Sequence, residues 1–190
     1  FTILSILNSH TDHLYAHCLG VSLYSTMIAI EMKWSSPKSL YTLALGGLFH
    51  DIGNRDLDGG DLLNKAKMEL TPKEIKQKEA HTRKGVELLK TLPSVSDSIL
   101  YIILQHHENC LVTGYPQALP KSKIFPLALV VGLADDFCEL TIKNPNSEGM
   151  SAEMAIKRLL MMSDKYDKEM LVALQNVFRR TLGKRDIYRV

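Results

Sequence analysis

The chain has 190 residues, of which 45% are hydrophobic and 23% charged, and its formal net charge is +2. That length suffices for one well-buried core, and that balance argues against a disordered chain and against the concentrated basic face that dedicated DNA or RNA binding requires. No apolar stretch is long enough to span a bilayer.

Cys18, Cys110 and Cys138 are odd in number and lack CxxC spacing, which argues against a disulfide framework and for a reducing, cytoplasmic setting. No signal peptide is visible, and a start at Phe1 points to a piece of a longer chain with a partner domain ahead of it. Residues 1–190 therefore read as a single domain.

Taken in order, the first predicted helix carries Leu14, His17, Val21, Tyr24 and Ile28 at spacings of three and four, one face of a helix interrupted by a histidine. The second carries Leu40, Ala44, Gly47, Leu48 and Asp51, and stops where Gly53 and then Asp58-Gly59-Gly60-Asp61 break the pattern. Thr71-Pro72-Lys73-Glu74 is a good helix start, and that helix leads towards His81. A further helix, announced by Pro93-Ser94, runs through Ile99, Ile102, Ile103 and His106. Ile124, Ala128, Val131 and Asp135 follow Pro120 on another, widened by Leu127, Val130 and Ala134, and two more occupy 151–162 and 167–179. Strand signals are short and scarce, so the fold is expected to be an all-α bundle of about seven helices.

An unpaired histidine or aspartate on a buried stripe costs several kcal/mol, roughly, whereas coordination to a cation satisfies lone pair and charge together. A single inward histidine is commonly a hydrogen-bonded core residue. Here His17, Asp51, His106 and Asp135 occupy comparable inward positions on four helices, with His50, His81 and His107 beside them or at helix ends. Convergence on metal is the economical reading, and seven donors exceed the need of one four-coordinate ion. Two cations about 3.5–4 Å apart would trap a bridging water, lower its pKa and stabilise a phosphoryl transition state. His106 and His107 are consecutive, so the helix is expected to end or distort there.

Read in order, His17-Cys18-Leu19-Gly20-Val21, Phe49-His50-Asp51-Ile52-Gly53, His81-Thr82-Arg83-Lys84-Gly85, His106-His107-Glu108 with Gly114-Tyr115-Pro116, and Ala134-Asp135 resemble the HD superfamily of metal-dependent phosphohydrolases. The resemblance is to its HD-GYP branch of cyclic di-GMP phosphodiesterases, and it spans most of the chain. It implies an HD-type helical bundle around a dinuclear centre. One metal would be held by His17, His50, Asp51 and Asp135, and the other by His81, His106 and His107, with Asp51 bridging. Nitrogen and oxygen donors without thiolate suit iron or manganese. The Gly114-Tyr115-Pro116 loop would lie by the substrate, and Glu108 would orient His107 or a water. His13, four residues before His17, stands where a subset of the family carries a ligand for a third ion; a supporting or surface histidine is the alternative.

The sequence also departs from the family. Asn54 stands where a lysine usually contacts the scissile phosphate, with Arg55 adjacent as a substitute, so Asp51, Asn54 and Arg55 are the candidate catalytic residues. Leu111 and Val112 replace an acidic residue and a glycine, which predicts a stiffer, more apolar loop. The usual arginines are missing from 138–147, leaving Lys121, Lys123 and Lys143 as weaker phosphate contacts. The leading expectation is hydrolysis of cyclic di-GMP by a metal-bridged hydroxide. The alternative is a weak or inactive nucleotide receptor or protein scaffold with partners in a signalling pathway, and a mononucleotide phosphohydrolase is a third reading. A homodimer is a further expectation. His10 reads as a terminal residue, Trp34, Met161 and Met162 as core or interface packing, and Arg179, Arg180, Lys184, Arg185 and Arg189 as a solvated basic end.

Overall fold

A computed structural model describes residues 12–56, 65, 67–143 and 147–181. His10, the Asp58–Asp61 break and the basic residues beyond Thr181 lie outside them, as do the side chains of His13, Arg55 and Arg180. The described elements are all helical: α1 (Asp12–Glu31), α2 (Pro37–Phe49), α3 (Pro72–Glu79), α4 (His81–Leu89), α5 (Asp97–Gln105), α6 (Pro126–Thr141), α7 (Ala152–Met161) and α8 (Lys168–Thr181), with short 3-10 turns at Ile52–Asp56, Lys67–Glu69, Lys121–Lys123 and Ser163–Lys165. No described helix is long and apolar enough to cross a membrane.

Local chemistry sets the helix starts. Ser36 caps α2 by accepting from the Ser39 amide, with Pro37 in the first turn. Thr71 and Glu74 form a reciprocal capping box at α3. Two starts differ from the sequence expectation. α5 begins at Asp97 behind Ser96, after Pro93 and Ser94. α6 begins at Pro126, because Phe125 holds extended dihedrals as the N-cap, so Ile124 is buried just outside the helix. The helix leading from Thr71 towards His81 stops at Glu79, and α4 starts afresh at His81 after Ala80.

α1 packs against α2, α6 and α8, while α5 lies against α2, α4 and α6. Two apolar clusters result. The larger unites Val21 and Ile28 of α1 with Leu43, Ile102, Val130, Phe137, Ile156 and Leu174; Trp34 packs against its edge. The smaller joins Phe49, Ile52, Leu89, Ile99 and Ile103. α5 thus serves both, and His106 follows directly from it. Met161 is 87% exposed and Met162 is also exposed, so the core reading of that pair does not hold.

The turn after α2 crosses α4 at contact distance. A Cβ on Gly53 would overlap the His81 carbonyl oxygen and the Gly85 amide, and neither backbone atom can swing away. This approach sets the His50-Asp51 pair beside His81. Gly53→Ala is expected to destabilise the fold by ~3 kcal/mol, since overpacking against backbone cannot relax through a rotamer. Chemical denaturation of the variant beside the parent protein measures it.

Candidate metal centre

Seven candidate ligands come together from five places in the chain. His17 lies in the second turn of α1, His50 and Asp51 follow the end of α2, His81 opens α4, His106 and His107 follow the end of α5, and Asp135 lies in α6. α5 does end at Gln105, with His106 as its C-cap, so the consecutive histidines occupy a turn and both face the same centre. Their donor atoms form two groups, Asp51, His81, His106 and His107 in one and His17, His50 and Asp135 in the other, each within 4.8 Å internally.

Three of the histidines share one local device. His50 Nδ1–H donates to Gly47 O at 2.7 Å, His81 Nδ1–H to Lys78 O at 2.7 Å, and His106 Nδ1–H to Ile103 O at 2.9 Å. Each acceptor is the carbonyl three residues earlier, available because a helix or turn ends there. A carbonyl only accepts, so Nδ1 carries a proton, and in the neutral, ligating form of each ring the lone pair is on Nε2. Those Nε2 atoms then face inward. His81 and His106 present theirs to each other at 3.2 Å, an arrangement that neutral imidazoles of this tautomer cannot turn into a hydrogen bond.

The carboxylates stand between the two groups. Asp51 Oδ1 is 3.2 Å from His81 Nε2 and 3.9 Å from His106 Nε2, while its Oδ2 is 3.5 Å from His50 Nε2. Asp135 Oδ1 is 3.0 Å from His17 Nε2 and 3.6 Å from His50 Nε2, and its Oδ2 is 3.9 Å from His107 Nδ1. Buried His50 Nε2 has no hydrogen-bond partner. Two donors bound to one cation at about 2.0–2.2 Å and near-right to tetrahedral angles stand roughly 2.8–3.6 Å apart. The residues present therefore fit divalent cations, and the orphaned nitrogen is what such an ion would satisfy.

Electrostatics divides the groups. Burial raises the pKa of Asp51 and Asp135, but the surrounding histidines more than offset it and hold both carboxyls below the ordinary range. Burial and neighbouring histidines push His106 well down, and burial takes His107 to about 3 against the pull of Asp135. Burial also lowers His50, but Asp51 and Asp135 overcome it and bring the group to about 9.

A model of the HD domain family matches residues 2–170. The chain belongs to the HD domain family. Among curated relatives, it is 30% identical over 172 residues to a cyclic di-GMP phosphodiesterase of Pseudomonas aeruginosa, covering 90% of this chain and 41% of that protein. It is 28% identical over 195 residues to a cyclic di-GMP phosphodiesterase of Thermotoga maritima, covering all of this chain and 51% of that protein. The chain thus spans about half the length of these relatives or less. A solved HDG"Y"P protein from Bdellovibrio bacteriovorus shares the fold with a TM-score of 0.73 at 24% identity, over 87% of this chain and 52% of that one. Motifs and relatives together place this HD domain in the HD-GYP branch, as a divergent member.

The substrate-side candidates are placed less uniformly. Tyr115 lies over the histidines, its ring centroid 4.5 Å from that of His107 at 31° and 6.2 Å from that of His81. Asn54 is buried, and its Oδ1 has no hydrogen-bond partner. Lys121 is paired with Asp167 and Lys143 with Glu148. Glu108 does not orient His107: its carboxylate accepts the Gln117 amide at 2.7 Å and the Leu119 amide at 2.9 Å. Sequence reasoning also missed a cavity of about 30 Å³ behind the histidine turn, lined in part by His107, Asp136, Lys165 and Tyr166. There Asp136 accepts from both Lys165 and Tyr166. The adjacent acid in Asp135-Asp136 was the available signal.

The shifted groups fix a pH profile for protein stripped of metal by a chelator. His107 binds its proton more weakly folded than unfolded, so stability falls as pH drops from about 6.5 towards 3. His50 binds its proton more tightly folded, so that contribution is complete below about 6.5 and is lost as pH rises through 9. Thermal unfolding of the stripped protein is expected to be highest near neutral pH and to fall on both sides; a Tm rising steadily from pH 6.5 to 9 contradicts the assignment for His50.

Proposed function

We propose that this HD domain is a metal-dependent phosphodiesterase that hydrolyses cyclic di-GMP. The observation that carries it is the convergence of seven nitrogen and oxygen donors in two groups with Asp51 between them. His17, His50, Asp51 and Asp135 would hold one ion and His81, His106 and His107 the other, with Asp51 shared. The donor set, free of thiolate, suits iron or manganese. Bound ions supply Lewis acidity at the phosphoryl oxygen and a water of lowered pKa.

The protein's own groups do the positioning. Backbone carbonyls hold His50, His81 and His106 with lone pairs inward, and burial keeps His106 and His107 neutral and able to ligate. Ionised Asp51 and Asp135 offset the cationic charge. Tyr115 offers an aromatic face beside the histidines, suited to a base or ribose. Asn54 presents a buried amide in place of a lysine, able to hydrogen-bond a substrate but not to neutralise it. Lys143 is in an exposed pair with Glu148, which a phosphate would displace at little cost, whereas Lys121 must leave the half-buried Asp167.

A second reading, a receptor or scaffold that binds the nucleotide without turning it over, is favoured by Asn54 and the missing arginines. Protein loaded with Mn(II) or Fe(II) is expected to convert cyclic di-GMP to the linear dinucleotide or GMP, and Asn54→Lys to raise kcat at least tenfold. Binding without product, in both proteins and with either metal, leaves only the second reading.

The shared position of Asp51 makes a separate prediction. Elemental analysis is expected to find both ions lost in Asp51→Ala but one retained in His17→Ala, and equal loss in the two variants would contradict the division.

A further inference from the structure

The excursion from His107 to Phe125 contains no α-helix, yet it carries Tyr115 back onto the histidines. Backbone bonds hold it in part: the Tyr115 amide donates to His107 O at 3.4 Å, that of Val112 to Asn109 O at 3.2 Å and that of Cys110 to Lys165 O at 3.0 Å. Val112, a β-branched residue, sits at φ 59°, and the exposed side chains of Leu111 and Val112 contribute little packing. The longer-range ties come from a set of side chains on the segment that also carries His106 and His107. Gln105 accepts the Phe125 amide at 2.7 Å and so ties down the far end. Asn109 Oδ1 accepts the amides of Leu111 and Thr113, closing the near turn. Buried Glu108 takes the centre, one carboxylate oxygen on the Gln117 amide and the other on the Leu119 amide. Across the loop, Arg83 of α4 donates to Pro116 O.

Glu108 is thus next in sequence to His107, and the two amides that donate to it follow Tyr115-Pro116 within three residues. Gly114 completes the return, passing so close to the His107 carbonyl that a Cβ would overlap it. From this we infer that Glu108 is a positioning residue for the proposed phosphodiesterase: it seats Tyr115 on the His107 ring, so that the face of the tyrosine and the second group of ligands are set by one rigid turn. The inference rests on the reading of the site given above only for its effect on turnover. A buried carboxylate accepting two amide hydrogens is a charge-assisted pair, and a glutamine in its place offers one oxygen and turns an N–H donor towards the other amide.

The test is Glu108→Gln beside Tyr115→Leu. In metal-free protein, amide exchange at Gln117 and Leu119 is expected to quicken at least tenfold in Glu108→Gln. The ring-current shift that Tyr115 imposes on the His107 Hε1 resonance should disappear as fully as in Tyr115→Leu, with the His17 resonance unmoved. In Mn(II)-loaded protein, KM for cyclic di-GMP should rise about tenfold with kcat within threefold, because a loosened loop loses binding that ground and transition states share. Unchanged exchange at the two amides, a retained His107 shift, or a collapse of kcat at constant KM would each overturn the proposal. If the parent protein shows no turnover, the phosphodiesterase reading falls, while exchange and ring shift still decide the role of Glu108.

Discussion

Each of three buried imidazoles gives its Nδ1 hydrogen to the carbonyl three residues behind it, and on this the rest of the centre depends. The bond fixes both ring orientation and tautomer, so the remaining lone pairs are aimed inward. Two of them stand 3.2 Å apart beside an ionised aspartate. In a buried place such an assembly is tolerable only with positive charge between its members. The fold meets the demand by bringing helix ends, with their spare carbonyls, to one point: α2, α3 and α5 all end there. Gly53 and Gly85 allow those ends to approach closely enough.

The departures from the family pattern leave this inner constraint untouched. His17, His50, Asp51, His81, His106, His107 and Asp135 all take part in the two donor groups. Asn54, the Leu111-Val112 turn and the arginine-free stretch 138–147 would, under the proposed function, concern what grips the substrate. A centre able to hold ions is thus combined with a phosphate environment whose candidate cations, Lys121 and Lys143, are already paired with carboxylates. Under the proposed function, such a combination would favour slow turnover, or recognition that relies on the metals and on Tyr115.

Much of this was legible because helical spacing and buried polarity are local signals. The three-and-four pattern through His17, and that through Ile99 to His106, fixed which residues face inward, and the two adjacent histidines pointed to the end of α5 found at Gln105. Other features were set by tertiary context. The break at Ala80, which makes His81 the first residue of a new helix, carries no proline or glycine to announce it. The start of α6 is marked locally by Pro126 at its first position, but Phe125 gives no side-chain cap, and the Gln105 side chain that accepts its amide comes from twenty residues away. The partners of Glu108 are hidden for the same reason: proximity in sequence points to His107, whereas the carboxylate reaches amides nine and eleven residues on.

Anomalous scattering from crystals soaked in Mn(II) tests the centre most directly. Two peaks about 3.5–4 Å apart are expected, one between Asp51 and the Nε2 atoms of His81 and His106, the other between His17, His50 and Asp135. Metal bound through Nδ1 of His50, His81 or His106, or no peak among these residues, would contradict the claim that their backbone hydrogen bonds aim the lone pairs at a pair of ions.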